Sequence, residues 1–249
     1  MKKFSLIYLL LVFLMISCGD DDVAKDLTIN IKLENKGQPV VGFESFEYPG
    51  GYNMFLTKFS LFISDMSLTR EDNTTLPIGD VLFMDLLDGV QTLERAEQGL
   101  SLVVSNVPTE TFKKLNFSVG VPSDLNAMEP SDFDITNALS NNGEYWVGWS
   151  SYIFHKTEGK IDTDGDGEFE TNVALHIGSD EAFRSAEFDI DLNVDDRQEL
   201  EIVVDVDDIF NINGEYYDFE ATPQIHHLGL LPQALPIMDA LSTEITIRY

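Results

Sequence analysis

Leu27-Thr28-Ile29-Asn30-Ile31-Lys32-Leu33-Glu34 (LTINIKLE, residues 27–34) decides the fold class. Apolar and polar side chains alternate without a break. Successive side chains on a strand point to opposite faces, so this octet reads as a strand with one face buried. Asn35-Lys36-Gly37 then turns the chain. The same period recurs downstream. Phe55, Phe59, Leu61 and Ile63 share one face, with Lys58, Ser60 and Ser64 on the other. Val81 to Leu87 is a short apolar run closed by Asp88-Gly89. Leu115, Phe117, Val119 and Val121 alternate with Asn116, Ser118 and Gly120 until Pro122 stops the strand. Phe188, Ile190, Leu192 and Val194 alternate with Asp189, Asp191, Asn193 and Asp195. Leu200 to Val206 follows a turn at Asp195-Asp196, which predicts a hairpin between these two strands. Ile245 and Ile247 mark a last strand.

Helical signal is confined to Val90–Leu100 and Asp132–Leu139, the second with Ser131 placed as an N-cap. Short strands, frequent turns and no βαβ rhythm predict an all-β antiparallel sandwich with short helices in its connections. Residues 27–249 read as one domain, which suits a chain of 249 residues that is 43% hydrophobic. The alternative is a boundary near Asn141-Asn142-Gly143.

The amino end has a different character. Lys2 and Lys3 precede an apolar run from Phe4 to Ile16, too short to span a bilayer comfortably, and Ser17 precedes Cys18. Met15-Ile16-Ser17-Cys18 resembles a bacterial lipobox. Residues 1–17 are therefore expected to be a lipoprotein signal peptide, with Cys18 lipidated and 18–26 an acidic linker. Stable anchoring needs more than one acyl chain, which a lipoprotein-type cysteine supplies. The expected location is the outer membrane, on its periplasmic or its surface side. As the one cysteine, Cys18 leaves no intrachain disulfide and no thiolate metal site in the folded part.

The formal charge of −29 becomes −31 once Lys2 and Lys3 leave with the signal peptide. So acidic a surface repels nucleic acid and anionic headgroups and attracts cations. Nucleic-acid binding is excluded.

Chemistry-bearing residues concentrate between Tyr145 and Gly178, which hold both tryptophans, Trp146 and Trp149, and the histidines His155 and His176. Asp162-x-Asp164-x-Asp166-Gly167-x-x-Glu170 has the alternate-residue spacing of a calcium loop, in which carboxylates on a tightly turning backbone converge on a hard cation. Glu168 falls where a backbone carbonyl ligates. Val173 stands at the twelfth position, so the bidentate glutamate of an EF-hand is missing, and both flanks read as strands. The expectation is a weak calcium site on a strand-to-strand connection, with affinity on the order of 10⁻⁴–10⁻³ M.

Strand periodicity places Phe169, Val173 and Leu175 on one face and His176 on the other, with Glu170, Asn172 and Ala174. In an unbroken strand, Trp146 joins Tyr152 and Phe154 in the core, while Trp149 and His155 face solvent. A bulge at Gly148 changes that assignment. His226 and His227 are adjacent, so on a strand they point to opposite faces.

Four segments carry a family resemblance. Phe62-Ile63-Ser64-Asp65-Met66-Ser67-Leu68 resembles F-Y-I-S-x-hydrophobic-x-L. Phe117-Ser118-Val119-Gly120-Val121-Pro122 followed by Asn126 resembles F-x-x-G-V-P…N. Trp146 with Tyr152-Ile153-Phe154 and Glu158-Gly159 is similar to W-x-W-x-x-G-Y…E-G, and Leu175-His176-Ile177-Gly178 to F-H-L-G. In this order, within Leu27 to Val206, they resemble the MbnP-like copper-binding proteins, named for the methanobactin-associated periplasmic protein.

The resemblance implies an exported all-β protein that binds copper through histidine and a tryptophan oxidised to kynurenine by a partner dihaem enzyme. Ring opening yields an aniline nitrogen and carbonyls beside imidazole, donors that suit copper. It assigns His176, with Trp146 or Trp149 as the oxidised residue. Two positions depart from the pattern. Ala127 stands where copper-binding members commonly carry a histidine, which leaves His155, His226 and His227 as replacements. Trp149 lies one place late, with Gly148 at the family position.

No nucleophile elbow, H-E-x-x-H or phosphate loop is present, so the chain reads as a metal-binding protein and not an enzyme. The alternative is a calcium-stapled surface module that binds glycan or protein through a flat row of exposed aromatics.

Overall fold

A computed structural model describes residues 24–249. Two sheets enclose the hydrophobic core. Ala24–Asn35 is central to the first and buries Leu27, Ile29, Ile31 and Leu33, as their period predicts. Glu199–Asp205 pairs with it in parallel on one side, and Leu100–Pro108 and Gln38–Pro39 antiparallel on the other. Thr246–Arg248 joins outside Glu199–Asp205. There the Arg248 guanidinium donates to both oxygens of buried Glu34, at 2.8 and 2.9 Å, so that carboxylate is not left unpaired.

The second sheet runs Arg184–Asn193, Thr111–Val119, Tyr52–Arg70, Ser151–Asp162, Thr171–Gly178, Gln224–Ile225. Phe46–Tyr48 and Thr75–Asp85 pair along the remaining edge of the long Tyr52–Arg70 strand. Ile31, Ile202 and Val204 of the first sheet meet Leu61, Ile63 and Phe117 of the second around one small internal gap. The expected all-β sandwich with short helices forms, with mixed rather than purely antiparallel sheets.

Several local expectations are overturned. Arg184–Asn193 and Glu199–Asp205 are not a hairpin: the first pairs with Thr111–Val119 and the second with Ala24–Asn35, so the Asp195-Asp196 turn carries the chain from one sheet to the other. Residues 132–139 form no helix; 3₁₀ turns occupy Pro130–Asp132 and Ala138–Ser140, the first capped by Glu129 instead of Ser131. A helix that periodicity missed runs Leu231–Thr243, because Pro232 and Pro236 read as breakers. Its buried Leu231, Ala234, Ile237, Met238 and Leu241 make one apolar stripe against the sheet. At Thr57 a bulge lets Leu56, not Phe55, take the core position. The first strand starts at Ala24, within the stretch read as linker. The signal peptide and Cys18 lie outside the described residues.

The outer face of the second sheet is covered, which places the chemistry. Ser60 and Ser64, read as lying on the polar face, are buried, and so is Phe62 between them. Phe62 packs there against Tyr152, to which the segment following Pro122 is pinned by polar contacts. Asn126 Oδ1 accepts from the Tyr152 backbone N–H (2.9 Å) and the Ser151 hydroxyl (3.0 Å). Its amide donates to Asp180 at 2.8 Å. The Tyr152 hydroxyl donates to the Leu139 carbonyl at 2.7 Å. Nearer the tryptophans, buried Glu144 pairs with Lys156 at 2.8 Å and Lys58 at 3.5 Å. The entry to Trp146 is thereby clamped onto the sheet.

Candidate functional site

Trp146 and Trp149 do not sit on one strand. Tyr145–Trp146 pairs with the start of Ser151–Asp162, Trp146 opposite Ser151, and residues 147–150 turn between them. The Trp149 N–H donates to the Trp146 carbonyl at 3.0 Å, and Ser150 takes φ +50° to close the turn. This folds Trp149 back, its ring stacked on Trp146 at 5.6 Å between centroids. A Cβ on Gly148 would lie 3.0 Å from the Trp146 indole nitrogen, so a residue without a side chain suits this turn. Neither expected environment holds. Trp146 is half-buried instead of core, and Trp149 is half-buried against it instead of free on the surface.

Two histidines meet this pair. On Thr171–Gly178, Val173, Leu175 and Ile177 point into the core and His176 stands on the other face, as its period predicts. Its ring lies 5.7 Å from Trp146 between centroids. Gln224–Ile225 adds a parallel edge strand in which Leu175 faces Ile225, so the next residue, His226, comes alongside His176. The imidazoles are 4.9 Å apart at 83°, and His226 stacks on Trp146 at 5.7 Å and 29°. His227 is exposed, as the opposite-face argument requires.

The polar atoms of the cluster are unevenly satisfied. His176 Nε2 lies 2.7 Å from Glu158 Oε1. That hydrogen bond first, and the nearby lysines after it, hold the Glu158 carboxyl below the usual carboxylate range. An ionised carboxylate only accepts, so Nε2 carries the proton. His176 Nδ1 and His226 Nδ1 are both buried without a partner. Burial, and then His176 beside it, push the His226 pKa down and keep it neutral with its lone pair available. A buried polar atom without a partner costs about 1–3 kcal/mol, and two on imidazoles packed against each other suit a cation with nitrogen affinity.

His155 is not part of this cluster. It was expected on the surface and is fully buried beneath the Phe59 ring. Its Nδ1 is 3.0 Å from the Ser60 carbonyl and its Nε2 is 2.8 Å from the Thr157 hydroxyl, so both nitrogens are engaged in the core. Burial lowers its pKa to about 3. Ala127 is exposed and offers no ligand atom. His226 was one of three candidate replacements and Glu158 was quoted only within a motif. Their juxtaposition with His176 depends on strand pairing.

The acidic loop joins Ser151–Asp162 to Thr171–Gly178 with no flanking helix. Carboxylate oxygens of Asp162, Asp164, Asp166 and Glu170 lie within 4.8 Å of one another. Asp162 is buried and accepts from Gly165 N–H (2.7 Å) and Gly167 N–H (2.9 Å); Gly167 takes φ +92° to allow this. The exposed Glu168 side chain is outside the cluster, and its backbone N–H donates to Asp166 at 2.8 Å. Five strand residues, roughly 17 Å, separate Thr171 at the loop's end from His176, so the two clusters are distinct.

Glycines of the quoted motifs have packing reasons. A Cβ at Gly159 would lie 2.1 Å from the Phe55 carbonyl oxygen, and one at Gly178 would lie 2.3 Å from that of Tyr152. Both let adjacent strands approach beside the bulges that flank the site.

Comparison with known proteins agrees with this fold. The fold is similar to that of MbnP from Methylosinus trichosporium, with a TM-score of 0.60 at 12% identity, over 90% of this chain and 98% of that one. No curated protein sequence matches the chain. The MbnP family model matches residues 24–227, which include Trp146, Glu158, His176 and His226, and the chain belongs to the MbnP family.

Proposed function

We propose that this protein binds copper at the Trp146–His176–His226 cluster, is exported and lipid-anchored through Cys18, and catalyses no reaction itself. One observation carries the metal reading: two imidazoles 4.9 Å apart, both in contact with the Trp146 ring, each bury an Nδ1 that has no partner. Imidazole nitrogen suits copper, and the nearest carboxylate, Glu158, is already committed to His176. His176 and His226 would hold the metal through Nδ1. His226 supplies the second imidazole that Ala127 does not.

Trp146 is the tryptophan for a partner dihaem enzyme to oxidise, since it touches both histidines whereas Trp149 reaches the cluster by stacking on Trp146. An opened indole brings an aniline nitrogen and carbonyl oxygens to the same place. Hard cations belong at the acidic loop, where calcium would find four carboxylates. The half-buried, mutually stacked tryptophans do not form the flat exposed row of a glycan- or protein-binding module.

Metal analysis and intact mass on protein purified from its own host test this reading. Retained copper and an oxidised Trp146 support it; unmodified tryptophans with no copper, in wild type, overturn it. Cys18→Ser should move the protein to the soluble fraction, and continued membrane association would refute the lipid anchor. Among the described residues no helix is long and apolar enough to cross a membrane.

A further inference from the structure

Glu158 lies in a constrained place. Gly159 faces Leu56 and Glu158 faces Lys58, so Thr57 bulges between them. The Phe55 carbonyl approaches so closely that position 159 has no room for a Cβ. Across the other edge of the strand, Glu158 pairs with Ala174, two residues before His176 on the same face. The carboxylate thus stands diagonally beside the imidazole, with Oε1 2.7 Å from Nε2. The His176 side chain is 13% exposed, so little water competes for that proton.

We infer that Glu158 is the positioning residue of the cluster: it holds the His176 proton on Nε2 and leaves the Nδ1 lone pair free on a ring that packs against His226. The inference deepens the copper reading and rests on it for the metal. A neutral imidazole has one protonated and one free nitrogen, and the partner of one decides the role of the other. Without Glu158 nothing on Nε2 would select the tautomer. The ring would then place a proton on Nδ1 part of the time, where it blocks a cation. A carboxylate behind a ligating imidazole also raises its basicity, and losing such a partner costs roughly 10–100-fold in metal affinity.

The test uses the full-length chain with Glu158→Gln and Glu158→Ala, and two readouts. Long-range ¹H–¹⁵N spectra of the metal-free protein report which nitrogen of His176 is protonated. Competition with a chromophoric chelator reports cuprous-ion affinity. Wild type should show the Nε2–H tautomer. Glu158→Gln keeps an acceptor oxygen and should retain that tautomer and bind within a few-fold of wild type. Glu158→Ala should give a mixture of tautomers and a loss of roughly 10–100-fold. An Nδ1–H tautomer in wild type overturns the inference, and so does an unchanged tautomer in Glu158→Ala. If the tautomer responds as stated but wild type binds no copper, the positioning role stands and the copper reading falls.

Discussion

His176 and His226 face each other across a parallel strand pair, rings 4.9 Å apart and nearly perpendicular, each burying an Nδ1 with no partner. Removing either imidazole should cost more than removing a residue that only orients one. His226→Ala is expected to weaken copper binding by more than about 100-fold, beyond the range of an outer-shell partner. His227→Ala, on the exposed neighbour, should leave affinity unchanged. Chelator competition measures both, and equal effects would remove His226 from the site.

The two tryptophans should separate by mass. Trp146→Phe abolishes the mass gain of an opened indole in host-made protein, because Trp146 alone of the pair contacts both imidazoles in the cluster. Trp149→Phe preserves it. Peptide mass spectrometry reads the modified position directly, and the reverse pattern would assign Trp149.

His155 makes stability depend on pH in a defined direction. Its folded pKa of about 3 lies below the ordinary value near 6.5, so the unfolded chain takes up this proton first on acidification. The stability it preserves is fully present above pH ~6.5 and is lost as the pH falls toward 3. The slope is about 1.4 kcal/mol per pH unit, so about 2 kcal/mol is gone by pH 5. His226 adds a loss of the same sign. Urea unfolding between pH 7 and 5 should therefore show a steep decline that becomes shallower in His155→Gln. An unchanged slope would mean that His155 is protonated in the fold.

Gly178→Ala should destabilise the protein by about 3 kcal/mol or more, since its Cβ would lie 2.3 Å from the Tyr152 carbonyl oxygen and backbone must move. Gly37→Ala has open space and strains only φ at +72°, so about 1–2 kcal/mol is expected. Chemical denaturation compares them. Equal losses would show that the strands at Gly178 spread easily.

Calcium at ten times its Kd should add about 1.4 kcal/mol to the folded state if the acidic loop binds it. Asp164→Ala should remove the accompanying rise in Tm, because Asp164 is one of four converging carboxylates. No rise in wild type at millimolar calcium would leave the loop an acidic turn.

Much of the fold is local information. The alternations from Leu27, Leu115 and Phe188 locate their strands because a side-chain period of two reflects backbone geometry. The same rule puts His176 off the core face, and the spacing of Asp162, Asp164 and Asp166 brings three carboxylates together within one loop. Pairing is different, since it depends on residues far apart in sequence. Leu200–Val206 looks like a hairpin partner for its predecessor, yet it inserts beside Ala24–Asn35, where Ile202 and Val204 bury against the opposite sheet. His155 carries the polar signature of a surface residue. Only the neighbouring strand, paired from far away in sequence, supplies the Ser60 carbonyl and Phe59 ring that make its burial tolerable. The sequence by itself determined the strands, the acidic loop and the outward face of His176. Tertiary structure alone decided that Trp146, Glu158 and His226 would surround that histidine, because contact across a turn, a diagonal and a parallel edge is set by register, which no local pattern encodes.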